Sequence, residues 1–324
     1  MGGGDTTVSP YGGRTVAAVL FAIFGSGLLF GASMALPIAG FLSALLAPVP
    51  VSVARIRSSR MAALFAVVCA TLVITILAGP MFGVWYLIQV GSVGMAIPEM
   101  ITRGVSPGRS VLYSALFSFS LAVVTVIIMT NGALAPTISL LESELKQATG
   151  QALILYQQQT TLQPDEIALL TESMQRASTL AIRLLPALTL IALGLISATT
   201  MRVTARVAQR YGLAFSVSPF SEYRTPEYLI WALIGSGFAL LSNQTIITIP
   251  AMNLAVPLAV AYCFQGIAVL ISRFNRTSIS GILKTMTTVM VVLQPYLLLI
   301  IVAIGVFDLW FDFRRPRPKP DDVL

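Results

Sequence analysis

Few groups in this chain could bind or orient a small molecule, and most of them lie inside long apolar runs. Asn253, Tyr262 and Gln265 fall in one run, and Gln294 precedes Pro295 in another. An amide or phenol at membrane depth is costly unless paired, so each is a candidate substrate-binding residue. Pro295 also frees a backbone carbonyl one turn back, which a ligand could use. Arg183, a basic group just inside a run, is a candidate anion contact at the mouth of a cavity. An uncharged, amide-lined cavity suits a small neutral or zwitterionic solute better than an ion. The competing reading is interhelical hydrogen bonding, worth about 0.6 kcal/mol per pair in membranes. For Arg183 the competing reading is snorkelling to the surface.

The carboxyl end holds a second constellation. Asp308 and Asp312 are four residues apart, on one helical face, and Arg314 and Arg315 follow them. Phe307, Trp310, Phe311 and Phe313 make an aromatic belt at the same place, as at a membrane–water boundary. The residues read either as an interfacial helix end with local ion pairs or as a lock fixing the last run against a loop.

Other chemistries are excluded by absence. The chain has no histidine, and its two cysteines, Cys69 and Cys263, sit deep in apolar runs as buried thiols. There is no GxxxxGK[ST] segment, so any energising ATPase would be a separate partner. No catalytic residue, metal site or cofactor is expected, and the chain does not read as an enzyme.

The elements that position these residues follow from composition. Of 324 residues, 56% are hydrophobic and 10% charged, too little charge to cover a soluble surface. No charged side chain occurs between Arg14 and Arg55, Arg60 and Glu99, Arg109 and Glu142, or Glu227 and Arg273. Each interval holds one or two crossings at roughly 20 residues apiece. The fold class is therefore all-α, a polytopic transmembrane helical bundle of about eight or nine spans in contact with the lipid bilayer. The net charge of +7 reflects basic loops between spans and implies no nucleic-acid partner.

Five segments follow. They are an N-terminal tail (1–14), an N-terminal bundle of about five spans (15–131), a helical insert (132–179), a C-terminal bundle of about four spans (180–313) and a basic tail (314–324). Span 1 carries Gly27-Leu-Leu-Phe-Gly31, a small-xxx-small spacing for close helix packing. Arg55, Arg57 and Arg60 mark a cytoplasmic loop, as do Arg273 and Arg276. The insert has net charge 2 − 5 = −3, opposite in sign to the loops around it, and is placed outside. Its apolar stripes predict two amphipathic helices joined around 157–164, the second starting at Pro164-Asp165-Glu166. Arg202, Arg206 and Arg210 share one face, as a lipid anchor or a partner dock. The last runs are read as 228–249, 250–271 and 286–306. Nine crossings from an inside amino terminus put the tail outside, whereas its basic residues favour the cytoplasm.

Several of these stretches recur together in a known pattern. They are Ala47-Pro-Val-Pro before Arg55 to Arg60, the Gly79-Pro80 break, and Gly91-x-x-Gly94 before Arg103-Gly-Val-Ser-Pro. Later come Pro219 to Trp231, Asn253-Leu with Gln265-Gly266, and Gly305-x-x-Asp308-x-x-x-Asp312-x-Arg314. In order and spacing, over about 15–315, the chain resembles the YybS-like family of bacterial membrane proteins. More distantly it is similar to the substrate-binding S-components of energy-coupling-factor vitamin transporters. That resemblance implies a membrane-embedded small-molecule site and a cytoplasmic amino terminus. The expected function is a bacterial inner-membrane binding or transport component for a small solute, lacking its own ATPase. The alternative is a non-transport scaffold or regulatory protein acting through a partner.

Overall fold

The structure, a computed structural model, describes residues 10–36, 39–159, 164–212, 218–276 and 280–314. Among them there is no strand. The elements in chain order are α1 (Pro10–Ala35), α2 (Ala39–Leu46), α3 (Val49–Arg57), α4 (Arg60–Ala78), α5 (Pro80–Tyr86), a π-helical turn (Leu87–Gly91) and α6 (Ser92–Thr102). There follow α7 (Pro107–Met129), α8 (Leu134–Gln159), α9 (Pro164–Arg183), α10 (Leu185–Arg210), α11 (Leu229–Ala239), α12 (Thr245–Asn275), α13 (Gly281–Leu293) and α14 (Pro295–Phe311). Helix α1 begins inside the segment read as the N-terminal tail.

Seven segments among the described residues are long and apolar enough to cross a bilayer: Thr15–Ala35, Ala39–Arg57, Arg60–Ala78, Pro80–Thr102, Pro107–Met129, Leu185–Arg210 and Thr245–Asn275. Their outer faces are apolar, with Phe24, Leu28, Ile76 and Leu77 at 70–81% exposure. Contiguous surfaces of that kind are untenable in water and suit a hydrocarbon solvent.

The runs at 228–249 and 286–306 take another form. The run at 228–249 stops at α11, whose 11 residues give about 16 Å of helix, roughly half the hydrocarbon thickness. The chain turns at 240–244, and α12 starts at Thr245 rather than at Pro250, carrying Pro250 and Pro257 within its 31 residues. The run at 286–306 divides at Gln294-Pro295 into α13 and α14. Proline at the first position of α14 has no N–H to continue α13.

One compact unit lies within Met1–Ser139 and Thr189–Val217. Helix α1 packs on α2, α3 and α4, and α3 packs on α6. Ala18, Ala22, Phe30, Val51, Val67 and Tyr86 form its core. Helix α4 is capped by Ser59, which accepts from the Ala62 amide at 3.1 Å, and stops at Gly79. Gly79 has φ +106°, a conformation other residues rarely adopt. Close packing lies away from the Gly27-xxx-Gly31 spacing, which has nothing within 4 Å; Gly83 meets Thr75, Gly94 meets Val51 and Gly91 meets Val67 instead. Buried hydroxyls join helices, as in Ser26–Tyr86 at 2.7 Å and Ser197–Ser114 at 3.3 Å. Arg55 and Arg103 both pair with Glu99, at 3.1 and 2.8 Å.

The second unit lies within Leu140–Leu188 and Ser218–Leu324. The two insert helices form as their stripes predict, and Thr149 meets Ser178 at 3.3 Å. Helix α12 is the centre of the other part, with α11 and α14 packed along it.

Candidate functional site

The polar residues of the second unit gather at two places. The first is the junction of α9 and α10. Asn253 accepts from the Ala187 amide at 2.9 Å and donates to the Arg183 and Ile249 carbonyls at 2.8 and 3.0 Å. Arg183 ends α9 as an exposed residue rather than lying inside a span. The amide of Asn253 therefore satisfies backbone groups that the break at Leu184 leaves open.

The second place is the far end of α12. Gln265 is 12 residues on, about 18 Å along the axis. It is 1% exposed and hydrogen-bonded at both ends of its amide: Oε1 accepts from the Thr225 amide at 2.8 Å, and Nε2 donates to Asp308 at 3.2 Å. Asp308, also 1% exposed, receives two further donors: the Arg314 guanidinium at 3.0 Å and the Phe313 amide at 3.1 Å. Asp312 adopts φ +38°, which aspartate tolerates, and turns the chain so that Arg314 folds back onto Asp308. Arg314 also donates to the Ser221 and Tyr223 carbonyls at 3.0 and 2.8 Å. One aspartate–arginine pair thus ties the end of α14 to α12 and to the loop at 218–228. Burial lowers the pKa of Arg314 and Asp308 opposes the shift, leaving a protonated cation.

Around this buried core lies a wetter shell. Asp312 pairs with Arg224 at 2.8 Å. Arg276, at the C-terminus of α12, donates to the Arg314 carbonyl. Burial raises the pKa of Tyr223, partly offset by its hydrogen bond with Thr225. Beside the shell is a pocket of about 370 Å³ lined by Ser221, Glu222, Arg224, Ser272, Asn275, Arg276 and Arg314. Its volume is at the low end of the roughly 300–1,000 Å³ of small-molecule sites.

A shared cavity for Asn253, Gln265 and Gln294 does not form. The first two are about 18 Å apart along α12 and hydrogen-bonded to protein groups. Gln294 is exposed at the break before Pro295. Tyr262 is fully buried, and its hydroxyl has no partner among the described residues. Arg315 lies outside the described residues. By sequence, Ser272 and Asn275 do not stand out, Arg276 reads only as a loop charge, and Ser221 and Arg224 fall within the Pro219 to Trp231 stretch without a role of their own.

Residues 25–309 match a family model described as a predicted membrane protein (DUF2232). The match includes Gln265 and Asp308 and ends before Asp312 and Arg314. No curated protein and no solved structure matches the chain.

Proposed function

The chain belongs to the DUF2232 family of predicted membrane proteins, and on that premise we propose that it is a small-solute binding component of a bacterial inner membrane, lacking its own ATPase. The observation that carries this reading is the polar pocket framed by Ser221, Arg224, Ser272, Arg276 and Arg314. Its walls come from three separated stretches of chain, and the Asp308–Arg314 pair holds them together. Small-molecule sites are concave, carry convergent polar groups that fix orientation, and occur between the helices of bundles. Similarity to S-components and to YybS-like proteins belongs to this same reading. An energising ATPase would then be a separate partner.

The test is native mass spectrometry of the full-length protein extracted in detergent. We expect a retained small molecule, lost when Ser272→Trp fills the pocket while thermal stability is kept. No retained mass, together with no thermal shift across anionic, neutral and zwitterionic metabolites, would overturn the reading.

A scaffold or regulatory role is the second reading. It is favoured by the structural use of Gln265, whose amide accepts from Thr225 in the 218–228 loop and donates to Asp308 on α14. Capture of a protein partner that depends on Glu222 or Arg224, with no solute in the pocket, would select it.

A further inference from the structure

We propose that the pocket of Ser221, Arg224, Ser272, Asn275, Arg276 and Arg314 binds a phosphate group, carried either by an anionic phospholipid headgroup or by a soluble phosphate ester. The inference rests on the small-ligand reading of this pocket and names the chemistry it selects.

The charges decide it. Three guanidinium groups from three elements meet one carboxylate, Glu222, on the pocket wall. Arg314 is neutralised by Asp308, and its donors face inward to Ser221 and Tyr223. Arg224 is neutralised by Asp312. Among the described residues, Arg276 donates to the uncharged Arg314 carbonyl and has no carboxylate within ion-pair distance. It keeps a positive charge and spare donors in a planar fork matched to phosphate. Ser272 and Asn275, one turn or less away on α12, add neutral donors. The C-termini of α12 and α14 border the site, and their dipoles disfavour an anion by about half a charge each. The unbalanced guanidinium must outweigh them, which makes Arg276 the deciding group and Glu222 the opposing one.

The depth fits as well. Phe307, Trp310 and Phe311 are exposed on the last turns of α14, within seven residues of Arg314. Aromatic residues of this kind sit at headgroup level, and basic pockets between helix ends there take lipid phosphates.

The experiment uses the full-length protein in detergent. Native mass spectrometry compares phosphatidylglycerol with phosphatidylcholine, and thermal shift compares inorganic phosphate and glycerol 3-phosphate with chloride. We expect Arg276→Gln to weaken binding by about tenfold or more, the value of one charge-assisted hydrogen bond. Glu222→Gln should strengthen it, Arg276→Lys should lose less than Arg276→Gln, and Arg273→Gln, outside the pocket, should leave it unchanged. Phosphatidylglycerol adducts with this variant pattern support the lipid source; stabilisation by soluble phosphates with the same pattern supports the soluble one. Equal binding by wild type and Arg276→Gln, or no preference for phosphatidylglycerol and no response to phosphate, would overturn the proposal. In that event a neutral solute still displaced by Ser272→Trp would leave the small-ligand reading standing; no ligand at all would remove both.

Discussion

Gly305 of α14 meets α12 backbone to backbone at Gly266: a Cβ on Gly305 would stand 2.8 Å from the Gly266 amide nitrogen and 1.9 Å from the Tyr262 carbonyl oxygen. A Cβ on Gly266 would stand 2.0 Å from the Ile301 carbonyl oxygen. Only hydrogen fits on either side. This approach brings Asp308, one turn beyond Gly305, within reach of Gln265.

Either Gly→Ala substitution must therefore push the two helices apart. Gly266→Ala and Gly305→Ala should each destabilise the detergent-extracted protein by about 1–3 kcal/mol or more, the range for overpacking. Gly237→Ala, where nothing lies within 4 Å, should be tolerated. Thermal unfolding of the three variants measures the difference, and equal melting temperatures would refute the packing argument.

Asp308 and Asp312 make an internal comparison. Removing one partner of a buried ion pair strands the other charge and costs about 3–5 kcal/mol, whereas an exposed pair contributes about 0.2–1 kcal/mol. The side chain of Asp308 is 0% exposed, and those of Asp312 and Arg224 are 22% and 55% exposed. Asp308→Asn should therefore lower the melting temperature far more than Asp312→Asn. Equal, small shifts in both would reduce the motif to an ordinary helix end.

The part of this site that can be read from sequence is the part whose cost is local. Asp308 stands out because a carboxylate at the edge of an apolar run demands a partner. The insert helices stand out because Pro164-Asp165-Glu166 and the spacing of Ile167, Leu170, Met174 and Ala177 are short-range signals. What escapes is long-range. Gln265 answers to the Thr225 amide, 40 residues away, and Asn253 to the Ala187 amide, 66 residues away. No periodicity records those partners. Arg276 carries the same charge as any loop arginine, and only the fold sets it beside Arg314. The break of the 228–249 run likewise depends on how 240–244 turns into α12, since hydropathy runs across it.

Gln265 should act through the loop it anchors. Gln265→Leu leaves the Thr225 amide without its acceptor, at a cost of about 1–3 kcal/mol for a buried donor. Gln265→Glu would keep that acceptor but set a second carboxylate against Asp308. Both should speed limited proteolysis between Ser218 and Tyr228, the glutamate variant more as pH rises, because repulsion grows with ionisation. Cleavage kinetics unchanged in both variants would show that the loop holds without Gln265.

The sidedness of the tail follows from Arg276. Its hydrogen bond to the Arg314 carbonyl puts the start of the basic tail at the same end of α12 as Arg273 and Arg276. Division of the last apolar run into α13 and α14 gives the chain a path out and back, so a basic tail and basic loops can share one side. The preference of arginine and lysine for the cytoplasm then applies to all of them together. A fluorescent protein fused after Leu324 should glow, and alkaline phosphatase at the same position should be inactive. In a background with Cys69→Ala and Cys263→Ala, Gln147→Cys on the exposed face of α8 should react with an impermeant maleimide in intact spheroplasts, consistent with an acidic insert outside. An active phosphatase at the tail would place Arg276 and its pocket on the outer face and reverse the topology argued from the loop charges.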